Sequence, residues 1–133
     1  MKTLGIAYAG TLISFLVIDA IWLGLIAKSF YRDQLGDLIL PSPNFAVAAV
    51  FYLFFAVAIV VLAVRPGLES GSVWTAIGYG AVLGLAAYGT YDMTNLSTLK
   101  GWPVTLSVVD LVWGTVLTAT ASAFGYATVR QFA

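Results

Sequence analysis

Four long apolar runs divide the chain, each closed by charge, proline or a short polar turn. Leu4 to Ala27 is apolar apart from small hydroxyls and Asp19, and Lys28 ends it. A helix of ~20 residues crosses a hydrocarbon core, so this run is long enough to span one. From Lys28 to Leu40 charges alternate with Tyr31, Leu35, Leu38 and Ile39 at i, i+4, i+7 and i+8. That spacing predicts a short amphipathic helix at the headgroups. Ser42-Pro43 reads as an N-cap followed by proline at the first helical position, opening an uncharged run to Val64. Arg65-Pro66-Gly67 stops this second span. The third runs from Val73 to about Asn95 and the fourth from Val104 to about Val129. The pattern predicts an all-α membrane protein in which four transmembrane helices form an up-down bundle. Spans fall at about 4–27, 43–64, 73–95 and 104–129 of a single domain covering residues 1–133.

Composition strengthens this reading. Of 133 residues 61% are hydrophobic and 9% charged, whereas a soluble domain carries about a quarter charged residues. Polar side chains are too few to cover a globule, so lipid is the expected solvent. The net charge of zero gives no basis for nucleic-acid binding. With no Cys and no His, disulfides, thiolate chemistry and imidazole-based sites are excluded, and no metal site or cofactor is expected. Asp19 within the first run, and no small-x-small cleavage pattern before Lys28, predict a retained helix rather than a signal peptide. Lys2, Arg65 and Arg130 oppose Lys28, Arg32 and Lys100, so the basic-residue rule for orientation ties. The free amino terminus tips the expectation toward cytoplasmic termini.

The third span is rich in glycine, and Gly80 and Gly84 form a G-x-x-x-G pair. Such pairs let a second backbone approach closely, here expected from another helix of the same chain.

The polar residues inside these runs carry the candidate chemistry. Asp19 and Asp110 are each stranded in an apolar helix, and Tyr88, Asp92 and Asn95 share one helical face at i, i+4 and i+7. At ~1.5 Å per residue, Asp19 lies about 12 Å from the Lys28 end and Asp110 about 10 Å from Pro103. Tyr52 and Tyr88 fall at the same depth, with Asp92 and Asn95 nearer the headgroups. An aspartate at mid-membrane disfavours insertion by ~2.5–3.5 kcal/mol, so these acids must face inward and find partners. Tyr52, Tyr88, Tyr91, Thr94, Asn95 and Ser107 offer hydrogen bonds, and Lys28 or Lys100 is within reach of an acid. Asp19-Ala-Ile-Trp22 and Asp110-Leu-Val-Trp113 repeat an Asp-x-x-Trp pattern, read as recurring local chemistry. Trp22 and Trp113 are placed to wall a pocket. The expected pocket therefore comprises Asp19, Trp22, Tyr52, Tyr88, Tyr91, Asp92, Thr94, Asn95, Asp110 and Trp113.

The chain also resembles the small bacterial predicted membrane proteins grouped as a domain of unknown function. The likeness rests on Asp19-x-x-Trp22-Leu23-Gly24, Phe30-Tyr31, Tyr91-Asp92-Met93-Thr94-Asn95, Trp102-Pro103 and Asp110-x-x-Trp113-Gly114. Met93 stands where the family pattern has Leu. The resemblance implies the bacterial inner membrane and supplies no activity.

Three functions compete on these residues. The first is a transporter-like protein whose pocket binds or moves a proton, a cation or a small polar or lipid ligand. Four short helices make thin walls, so this reading expects a homo-oligomer. The second is a non-catalytic accessory or assembly subunit of a larger membrane complex. The third, a lipid-directed enzyme with Asp92 or Asp110 as base and Lys100 on a phosphate, lacks a nucleophile motif or phosphate loop and ranks last.

Overall fold

The computed structural model describes residues 2–133, and they are helical almost throughout, with no strand among them. Helix α1 spans Lys2–Ile21 and widens into a π-helical turn at Trp22–Ile26. Helix α2, Lys28–Leu35, follows at once and ends at Gly36, whose φ of 53° lies in the region that favours glycine. Helix α3, Phe45–Ile59, runs through a second π-helical turn, Val60–Val64, into the short α4, Arg65–Ser70. Helix α5 spans Val73–Thr98 and helix α6 spans Val104–Phe132.

Two helix ends depart from expectation. The side chain of Asn44, not Ser42, caps α3 by accepting the Val47 N–H at 3.2 Å. Asn is as good a cap as Ser, and Phe45 rather than Pro43 then opens the helix. Nor does Arg65-Pro66-Gly67 stop the second rod. Pro66 sits just after the π-helical turn, where the regular i→i−4 ladder is already broken, and the rod continues to Ser70.

Three stretches are long and apolar enough to cross a membrane: Lys2–Ile26, Phe45–Ser70 and Val104–Phe132. The 26 residues of α5 give it the length, but its glycines and its polar last turns dilute its hydropathy.

Small residues set the packing. Gly80 lies on Ser122, Gly84 on Gly114 and Thr118, and Gly89 toward Leu111, so α5 and α6 run antiparallel in close contact. The G-x-x-x-G pair thus serves an internal seam. Gly10 against Thr128 and Gly125 against Thr11 make the matching seam between α1 and α6. Phe15, Phe55, Ile59, Val64 and Leu117 fill the core between these rods. Most remaining large side chains, such as Leu25, Phe54 and Val82, are exposed, as helices solvated by acyl chains would leave them.

Candidate functional site

Two hydrogen-bonded chains meet at one indole stack. Asp19 on α1 is buried at 6% exposure, and both its oxygens are engaged. Tyr52 of α3 donates its hydroxyl to Oδ2 at 2.9 Å, and Trp113 of α6 donates Nε1–H to Oδ1 at 3.1 Å. One carboxyl therefore ties three helices together. Trp22, three residues after Asp19, donates its Nε1–H to the Tyr31 hydroxyl of α2 at 3.2 Å. Tyr31 in turn donates to Asp110 Oδ1 at 2.8 Å. The rings of Trp22 and Trp113 lie face to face, 4.3 Å apart and 11° from parallel.

The two Asp-x-x-Trp motifs explain this geometry. At i, i+3 each acid and its indole share a helical face, and antiparallel packing of α1 on α6 sets each indole level with the other helix's acid. Trp113 reaches Asp19 directly, whereas Trp22 reaches Asp110 through Tyr31. The recurrence is a reciprocal pairing. Seeing it requires knowing that α1 and α6 are neighbours.

Asp92 behaves differently. It sits on α5 at 0% exposure, and neither carboxyl oxygen has a hydrogen-bond donor. The group within hydrogen-bonding reach is the Asp110 carboxyl, an acceptor until one of the pair carries a proton. A buried carboxylate without a donor is among the costliest arrangements in a protein.

The other expected residues divide. Tyr88 packs inward, its ring over Gly114 and edge-on to Phe55 at 6.4 Å between centres. Tyr91 is 56% exposed and turns to Trp102, with ring centres 5.8 Å apart. Thr94 is exposed, and its carbonyl accepts from Ser97 and Thr98 in the last turn of α5. Asn95 is half-buried at the rim, where its carbonyl accepts the Leu99 N–H at 2.9 Å. Tyr91 and Thr94 thus stand outside the cluster formed by Asp19, Trp22, Tyr31, Tyr52, Asp92, Asp110 and Trp113. One helical face cannot hold five polar residues within eight positions. Lys28 and Lys100 are exposed and pair with no acid; among the described residues the one ion pair is Arg65–Glu69. Ser107 donates to its own helix, at the Pro103 carbonyl.

Tyr31 is the member that sequence reasoning left out. Its ring fits the apolar face of an interfacial helix, yet a phenol on an otherwise aliphatic face also brings a hydroxyl to the seam. Burial pushes its phenol above the ordinary tyrosine value, so it remains a donor throughout the physiological range.

The surroundings are apolar. A groove of about 330 Å³ runs past the indole stack, lined by Trp22, Val108, Val109, Val112, Trp113 and Val116. Another of about 340 Å³ lies between α1 and α3 beside Tyr52. Among the described residues no three acids converge as a metal set would. Protons and hydrogen bonds are the chemistry that these side chains offer.

The chain belongs to the family described as Predicted membrane protein (DUF2177), matched over residues 4–127. No curated protein and no solved structure matches it.

Proposed function

We propose that this membrane protein binds a proton at the Asp92–Asp110 pair and passes it within the bilayer, in the manner of a small transporter. The observation that carries this reading is Asp92, wholly buried, donorless and set against a second carboxyl. Two carboxyls at hydrogen-bonding distance cannot both be ionised without strong repulsion, and one shared proton relieves it. A proton suits the pair better than a hard cation, which asks for about six oxygen ligands. Asp92 and Asp110 bring four oxygens, and Tyr31 already uses one of them.

The architecture that this function calls for is a four-helix up-down bundle in the bacterial inner membrane, with both termini cytoplasmic. Helix α5 is ~39 Å long at ~1.5 Å per residue and lies along α6 from Gly80 to Gly89, sharing that helix's depth. Asp92 then lies near the face that carries Lys28, Arg32 and Lys100. A homodimer would thicken the walls around the pair.

Proteoliposomes with an entrapped pH dye and an imposed potassium potential test the reading. Wild-type protein is expected to carry proton flux, Asp92→Asn to abolish it, and Asp33→Asn, at an exposed position, to leave it intact. Equal flux in folded Asp92→Asn protein, or none in the wild type, would contradict it.

A second reading rests on Asp19, whose oxygens are both satisfied, as in a device that fixes helix register. It makes the chain a non-catalytic subunit of a larger membrane complex. Purification from native membranes in mild detergent separates the two: other chains held in fixed ratio favour the subunit, a pure homo-oligomer the transporter.

A further inference from the structure

We propose that α2 is a hinged cover over the carboxyl pair, latched by Tyr31 and released when the pair becomes fully protonated; this rests on the proton-binding reading above. Helix α2 buries none of its residues, and its main neighbours are the turns on either side of it. Its tie to the bundle is the Tyr31 hydroxyl, which takes the Trp22 N–H and donates to Asp110. Both ends are suited to pivoting. Before α2 the chain leaves helical geometry at Ala27, φ −107° and ψ 6°, and after it comes Gly36 with φ 53°. Ala27 is buried at 3% exposure and its N–H bonds Trp22 O at 2.7 Å, so the pivot is anchored, while beyond it Phe30, Gln34 and Leu35 are only half-buried.

The latch reads the charge on Asp110. A hydrogen bond to an ionised carboxylate is about twice as strong as one between neutral groups. With one proton shared between Asp92 and Asp110, the remaining negative charge holds the Tyr31 hydroxyl and α2 stays down. A second proton neutralises the pair, weakens that bond and lets α2 lift, opening Asp110 toward the headgroups. Tyr31 from α2 and Asp92 from α5 touch Asp110, and Tyr88 and, from the rim, Tyr91 on α5, Asp19 on α1 and Tyr52 on α3 lie near enough to feel its charge. No Lys or Arg stands among them, so the second carboxyl and the phenols set the balance.

The absence of cysteine makes the test direct. A nitroxide on Ser29→Cys, an exposed position of α2, reports the mobility of the helix in phosphatidylcholine vesicles as pH is varied. An immobile label near neutrality that becomes mobile on acidification is expected in the wild-type background. Tyr31→Phe should be mobile at every pH, and Asp110→Asn should lose most of the pH response even where Tyr31→Phe folds poorly. Asp92→Asn should keep α2 docked and move the release to lower pH. A pH response that survives Tyr31→Phe, or one unchanged in Asp92→Asn, overturns the latch. A shared proton seen by infrared spectroscopy together with a label that ignores pH also overturns it, and leaves the proton site standing.

Discussion

Trp22 and Trp113 stack face to face at 4.3 Å, yet their N–H groups point to different acceptors, Tyr31 and Asp19. The stack couples the two hydrogen-bonded chains mechanically without joining them chemically. Phenylalanine at either position keeps a ring in the stack and removes one donor. Trp113→Phe leaves a buried carboxylate oxygen of Asp19 unpaired and should cost about 1–3 kcal/mol. Trp22→Phe spares the Tyr31–Asp110 bond and should cost about 1 kcal/mol or less. Unfolding in mixed detergent micelles gives both values, and the reverse order would mean that Asp19 is not held as described.

Asp92→Asn should destroy the proton site at little cost to the fold. It replaces the shared proton with a permanent amide N–H₂ donor against Asp110 and leaves one negative charge on the pair. Stability near neutral pH is expected to change by less than about 1 kcal/mol, since one hydrogen bond is exchanged for another. A gain well beyond that in the same micelle assay would show that the wild-type pair holds no proton.

The glycine seams make a sharper contrast. A methyl group at Gly84 would run into Gly114 O and Thr118, and one at Gly114 into the Tyr88 ring. Gly84→Ala and Gly114→Ala should each cost about 1–3 kcal/mol, the range for overpacking. At Gly78 a Cβ meets nothing within 4 Å, so Gly78→Ala should be neutral or gain up to about 1 kcal/mol. Equal effects at Gly78 and Gly84 would place the α5–α6 seam on another face.

Lys28 and Lys100 give a negative control. Both are exposed and pair with no acid, so alanine at either should change stability by no more than about 0.5 kcal/mol. A larger loss would mean that one of them reaches an aspartate in the membrane.

These residues also show what a single sequence discloses. The inward acids were legible because an aspartate in an apolar helix has few tolerable orientations, and helical rise put Asp19, Tyr52 and Asp110 at one depth. The internal role of Gly80 and Gly84 was legible too. The reciprocal indole pairing was not, since it depends on α1 lying beside α6, a tertiary fact without a local signal. Tyr31 was hidden by its dual nature, its ring fitting an apolar pattern while its hydroxyl serves Asp110. Tyr91 and Thr94 lie close to Asp92 in sequence, yet a 100° turn per residue carries them outward. Lys28 and Lys100 have the length to reach an acid, but water and headgroups hold them better than a buried acid would.

The proton between Asp92 and Asp110 is the claim on which the rest depends, and infrared difference spectroscopy of the reconstituted protein addresses it most directly. At neutral pH the account predicts the carbonyl stretch of a protonated carboxylic acid, shifting in deuterium oxide, lost in Asp92→Asn and unchanged in Asp33→Asn. Absence of that band in the wild type, or its persistence in Asp92→Asn, would contradict the account.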